Sequence, residues 1–93
     1  MKFARAHQLI REGQALLPPA RAKTRGVFLT YEASSYLKLG EPERAAEAAR
    51  EALQLSRRIG APRCEQLVQI LVPEFKPHPT AEGVPELLTL AAA

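Results

Sequence analysis

Residues 36–55, YLKLGEPERAAEAAREALQL, carry the pattern that decides the fold. Gly40 and Pro42 stand close together between two segments whose apolar residues recur at helical spacing. A glycine ends a helix readily because it adopts a left-handed conformation at low cost, and a proline suits the first turn of the next helix. The stretch therefore predicts two helices, over about 20–39 and 42–59, that pack antiparallel across a very short turn.

One side of helix 42–59 is a stripe of small residues. Ala45, Ala49, Ala52 and Ser56 follow one another at spacings of four, three and four residues, so their side chains lie on the same face of the helix. Small side chains allow two helix axes to approach closely. We expect this stripe to form the contact between helix 42–59 and the helix before it.

Helix 20–39 carries two apolar stripes instead of one. The first comprises Leu29, Ala33, Tyr36 and Leu37, and the second comprises Thr24, Val27, Phe28, Tyr31 and Ser35. A helix that is apolar on two sides usually lies between neighbouring elements. We therefore expect packing partners on both sides of this helix.

The flanking sequence predicts further helices. The GAP motif at 60–62 repeats the glycine–proline pattern and begins a helix over about 61–73, and residues 2–17 show helical spacing that ends at Pro18 and Pro19. Residues 73–85 contain four prolines and read as a structured loop or tether, followed by a short helix over about 85–90. Because strand signals are absent, the sequence predicts one all-α domain, residues 1–93, with about five helices.

The helical hairpin resembles a tetratricopeptide repeat. Eight residues fall where that family places its large, small, aromatic, glycine and alanine residues: Leu29, Ala33, Tyr36, Leu39, Gly40, Ala45, Ala52 and Leu53. Glu32 and Pro42 depart from the pattern, which has a leucine and an aromatic residue there. The resemblance implies an α-solenoid fragment with one complete repeat at about 26–59, half-repeats at 1–17 and 61–73, and a C-terminal cap at about 80–92.

A longer stretch, residues 13–63, resembles a more specific group. It is similar to the C-terminal tetratricopeptide region of actinobacterial helix-turn-helix (XRE-type) transcriptional regulators, with an ALLP segment, an LGEPE turn and an APR restart. The resemblance implies a non-enzymatic module for protein or peptide interaction, which senses a ligand or mediates oligomerisation. It also implies that the chain begins with the second helix of a repeat, so that the N-terminal end of the array is open to self-association or to a hetero-partner.

The resemblance also implies a candidate groove. In tetratricopeptide arrays the first helix of each hairpin lines the concave side, which here corresponds to Val27, Thr30, Ser34, Leu37 and Lys38. The alternative is that some of these residues pack against a neighbouring unit or another copy of the chain. Thr30 and Ser34 replace the polar amides that some relatives use to clamp a C-terminal carboxylate, so recognition of a free carboxylate terminus is not expected.

No motif in the sequence points to catalysis, a cofactor or a metal. His7 and His78 are far apart, Cys64 has no partner at ligand spacing, and the glycines are scattered singly. No serine stands in the strained turn typical of a nucleophile. Cys64, near a predicted helix start, is either a half-buried inert thiol or a thiol activated by the helix terminus. We expect a chain without catalytic, cofactor-binding or metal-binding residues.

Charge and cysteine content restrict location and partners. The net charge is only +3, and a single cysteine fits a reducing cytoplasm. No apolar run approaches the roughly 20 residues that span a bilayer, so no membrane partner is expected. Two further functions remain open: a structural cap that completes another chain's solenoid, and weak nucleic-acid binding through scattered basic residues, namely Arg21, Lys23, Arg25, Arg57 and Arg58.

Overall fold

The computed structural model describes residues 19–93, with side chains from residue 21 onward. It contains the helices α1 (Pro19–Lys38), α2 (Pro42–Ile59), α3 (Pro62–Leu71) and α4 (Val84–Ala92), with a 3-10 turn at Val72–Phe75. This part of the chain has no strand, which confirms the all-α prediction. Four α-helices are present here instead of the predicted five or so, because the helix predicted over 2–17 lies outside the described residues.

The turns after α1 and α2 have the same geometry. Gly40 and Gly60 adopt positive φ angles of 75° and 65°. The next N–H in each turn bonds back across the helix end, from Glu41 to the Tyr36 carbonyl at 2.9 Å and from Ala61 to the Ser56 carbonyl at 2.8 Å. This is the glycine-terminated helix end expected from the sequence, and Pro42 and Pro62 then begin α2 and α3.

The centre of the molecule is the contact between α1 and α2. Leu29, Ala33 and Tyr36 of α1 are buried, and so is the small-residue stripe of α2 from Ala45 to Ser56. The stripe is buried, as the prediction requires, and Ser56 at its end lies beside Gly26 of α1. The second stripe of α1 behaves differently, because Phe28 and Tyr31 are 56% and 63% exposed.

The first turn of α3 packs closely on α1. A Cβ atom added at Gly26 would lie 3.5 Å from both Cβ and Sγ of Cys64. The Cys64 thiol is buried and donates a hydrogen bond to the Lys23 carbonyl at 3.3 Å. A methyl group at Gly26 would therefore make an ordinary van der Waals contact with Cys64 of the neighbouring helix.

The C-terminal part folds back onto α2 and α3. The proline-rich segment is an ordered loop, because Phe75 is fully buried in the core together with Val84 and Leu87. Two side chains then bind the last carbonyls of α4: Arg57 Nη1 donates to Leu90 at 2.8 Å, and Gln69 Nε2 donates to Ala91 at 2.9 Å. These bonds attach α4 to both neighbouring helices, and the one to Ala91 satisfies a carbonyl of the last helical turn.

Candidate functional site

A depression of about 420 Å³ lies between α1 and the start of α3. The residues that line it are Lys23, Thr24 and Val27 from α1, and Ala61, Pro62, Arg63 and Cys64 from the α3 side. Its walls are mainly apolar, and the cations of Lys23 and Arg63 lie at exposed positions around it. The volume falls within the range of small-molecule and peptide side-chain pockets.

The apolar surface of α3 extends the depression. Arg63, Leu67 and Ile70 are spaced i, i+4 and i+7, so they share one face of the helix. The other side of α3 carries Glu65 and Gln69, which bond to Arg57 of α2 and Ala91 of α4. The Arg63–Ile70 face therefore points away from α2 and α4. Ile70 at its end is 66% exposed, which makes it a large apolar side chain available to a partner.

The structure places the five predicted groove residues in different environments. Val27 is half-buried in the wall of the depression. Thr30 is only 7% exposed and donates its hydroxyl to the Gly26 carbonyl at 2.9 Å, so that hydroxyl is already used within α1. Ser34 and Leu37 are half-buried, Leu37 packs against the core, and Lys38 is exposed at the end of α1. Their role as a binding groove stays a prediction.

In addition to Val27, the depression and its surroundings include residues that the sequence does not predict for a binding site. Lys23, Thr24 and Arg63 line the depression, and Ile70 lies on the α3 face that continues it. The spacing of Arg63, Leu67 and Ile70 in the sequence indicates that they share one helical face. What the sequence could not show is that this face remains uncovered, since that depends on where α2 and α4 pack.

A second concavity, of about 380 Å³, lies between α2 and the start of α4. Its lining is strongly charged and comprises Glu43, Arg44, Ala46, Glu47, Arg50, Glu82, Gly83 and Glu86. Arg44 is partly engaged, because its Nε lies 3.5 Å from a Glu41 carboxylate oxygen and its guanidinium lies 5.9 Å from the centre of the Tyr36 ring. Across residues 19–93, no cluster of three or more His, Cys, Asp or Glu side chains could hold a metal ion.

The basic residues considered for nucleic-acid binding do not form one surface. Arg25 is only 3% exposed. Arg57 donates to the Glu65 carboxylate at 3.2 Å and to the Leu90 carbonyl. Only Arg21, Lys23 and Arg58 of the five are exposed. A phosphate backbone needs several cations on one accessible face, so this arrangement weighs against the nucleic-acid alternative.

Comparison with known proteins identifies no relative of this chain. No family model matches the chain, and no match was found among curated proteins or solved structures. No helix in the described part of the chain is long and apolar enough to cross a membrane. The depression and the α3 face beside it are therefore the strongest candidate site.

Proposed function

We propose that this chain is a non-enzymatic, tetratricopeptide-like module of the cytoplasm that binds a protein or peptide segment in the groove between α1 and α3. The observation that carries the proposal is the apolar depression of about 420 Å³ between these helices. The exposed Ile70 side chain extends it along α3. Exposed apolar surface bordered by polar residues is typical of interaction sites.

The lining indicates how such a segment would bind. A large apolar side chain of the segment enters the depression against Val27 and Ala61, and a second one rests on Leu67 and Ile70. Lys23 and Arg63 are both cationic and exposed, so an acidic residue next to the first apolar side chain is favoured. Burial of the apolar side chains supplies most of the affinity, while the cations contribute orientation and association rate.

The test is selection of random 12-residue peptides displayed on phage against the full chain. We expect enriched peptides to combine an acidic residue with large apolar residues. Ile70→Asp and Arg63→Glu should each weaken binding about tenfold in fluorescence anisotropy, since they remove a contact or reverse a charge. Gln54→Asp, an exposed change on α2, is the matched control and should leave the affinity unchanged. Enriched peptides that bind both groove variants as well as the parent chain would contradict the proposal.

A role within a transcriptional regulator is a separate part of the proposal. It is supported by the resemblance of residues 13–63 to the sensor regions of helix-turn-helix regulators. The reading frame around the chain tests it. A DNA-binding helix-turn-helix unit encoded in the same or the adjacent frame would support the assignment, and its absence from both would contradict it.

A further inference from the structure

The outer face of α1, opposite its core-facing side, carries an exposed aromatic pair. Phe28 and Tyr31 are three residues apart, which places both on this face, and they are 56% and 63% exposed. Thr24 and Ser35, which flank the pair by four residues on either side, belong to the same stripe. An adjacent pair of exposed aromatic side chains is more informative than a single exposed apolar residue, because it offers a continuous apolar contact.

Positive charges stand at both ends of this face. Arg21 precedes Phe28 by seven residues and Lys38 follows Tyr31 by seven, and both are exposed. Seven residues are close to two helical turns, so each cation lies near the aromatic stripe at about 10 Å along the axis. Glu32 is the single carboxylate of α1, and it is half-buried. The face is therefore apolar in the middle and cationic at each end.

The charge pattern discriminates among possible occupants. A second copy packed through the same face in the antiparallel arrangement would place Arg21 opposite Lys38. In the parallel arrangement each cation would lie opposite its own counterpart, so both arrangements bring like charges together. Residues 1–18 of the chain carry Lys2, Arg5 and Arg11 but a single carboxylate, Glu12, so they do not complement the cations either. An acidic helix does.

We propose that the outer face of α1 docks an amphipathic helix of a partner protein, whose apolar residues cover Phe28 and Tyr31 and whose carboxylates reach Arg21 and Lys38. The two cations are 17 residues apart, or about 25 Å along the axis. The partner helix therefore carries acidic residues near both ends of five helical turns and an apolar pair near its middle. This surface adjoins the α1–α3 groove at Thr24, but Phe28, Tyr31 and the two cations do not line the groove, so the inference does not depend on the proposed function.

The experiment selects helical peptides of 21 residues, displayed on phage and randomised at two central and two terminal positions, against the full chain. We expect apolar residues at the centre and Asp or Glu at both ends. In fluorescence anisotropy, the double variant Phe28→Ser, Tyr31→Ser should bind a selected peptide about tenfold more weakly, as expected for central aromatic anchors. Lys38→Glu should weaken it about threefold to fivefold, as expected for an exposed ion pair.

Controls separate binding from folding and from the groove. All three substituted residues are exposed, so circular dichroism melts should match those of the parent chain. Gln54→Ser, an exposed change on α2, should leave the affinity unchanged. Ile70→Asp should also leave it unchanged, because it alters only the α1–α3 groove.

Four outcomes would overturn the inference. Selected peptides without a preference for Asp or Glu at their ends would contradict the role of Arg21 and Lys38. Sedimentation equilibrium showing a dimer that the double variant dissociates would assign the face to a second copy. Protection of Tyr31 from chemical nitration in the isolated monomer would assign it to another part of the same chain. Binding of a single-stranded oligonucleotide that is lost in the double variant would assign it to nucleic acid.

Discussion

At the scale of single residues, replacing two of the glycines with alanine should change the stability of the chain in opposite directions. Gly60 has a φ of 65° with open space where a Cβ would stand, whereas Gly26 lies inside α1 with 3.5 Å between an added Cβ and Cys64. We expect Gly60→Ala to lower the free energy of unfolding by about 1–2 kcal/mol through backbone strain. Gly26→Ala should raise it by up to about 1 kcal/mol, because alanine has the better helix propensity and the contact is ordinary.

Urea unfolding followed by circular dichroism measures both changes. The pair is a matched control, since each variant adds the same methyl group. A change in the free energy of unfolding that is the same for both variants would contradict the assignment of the Gly60 cost to its positive φ.

The burial of individual side chains is the property that the sequence predicts least well. Thr30, one of the predicted groove residues, is buried and bonds through its hydroxyl to Gly26 within α1, while its place in a groove stays a prediction. Phe75 received no assignment, yet it is fully buried in the core. The burial of Phe75 depends on contacts with residues that are distant in the chain, since it shares the core with Leu29 and Leu53. Periodicity within one helix contains no information about those contacts.

At the scale of helices, the small side chains of the buried α2 stripe allow a neighbouring helix to approach closely. Ala49 is fully buried within this stripe. Ala49→Leu should therefore destabilise the chain by about 3 kcal/mol, because three added carbon atoms force the helices apart or into strained rotamers. Thermal unfolding by calorimetry measures the effect.

Gln54→Leu, on an exposed position of the same helix, is the control and should change the free energy of unfolding by less than about 0.5 kcal/mol. If Ala49→Leu lowered the free energy of unfolding no more than the control, the α1–α2 contact would accommodate a larger side chain at this position.

Helix positions were predicted well for a physical reason. Gly40 with Pro42, and Gly60 with Pro62, fix where helices end and begin through local backbone preferences alone. The observed helix α2, Pro42–Ile59, coincides with the predicted range. The uncovered Arg63–Ile70 face and the exposed side of α1 were not predictable in the same way, because each depends on which neighbours are present.

At the scale of the whole molecule, Arg57 connects three helices. It pairs with Glu65 of α3 and donates to the last turn of α4 from its position in α2. Arg57→Met keeps most of the side-chain length but removes both bonds. We expect a loss of about 1–2 kcal/mol in the free energy of unfolding, and faster amide hydrogen exchange in α4 than elsewhere.

Arg58→Met provides the comparison, because Arg58 is the exposed neighbour on the same helix. It should leave exchange in α4 unchanged. Uniform acceleration across all helices in Arg57→Met would indicate that α4 opens only with the whole domain.

The buried Cys64 makes the separation of α1 and α3 measurable without altering the chain. It is the single cysteine in the sequence, and its thiol faces the Lys23 carbonyl at the wall of the proposed groove. Because Cys64 is only 5% exposed, a thiol-specific reagent reacts with it slowly while the two helices are packed, and the labelling rate of the unmodified protein rises when they part. A segment that fills the groove will slow that reaction, and the natural thiol thereby becomes a reporter of occupancy.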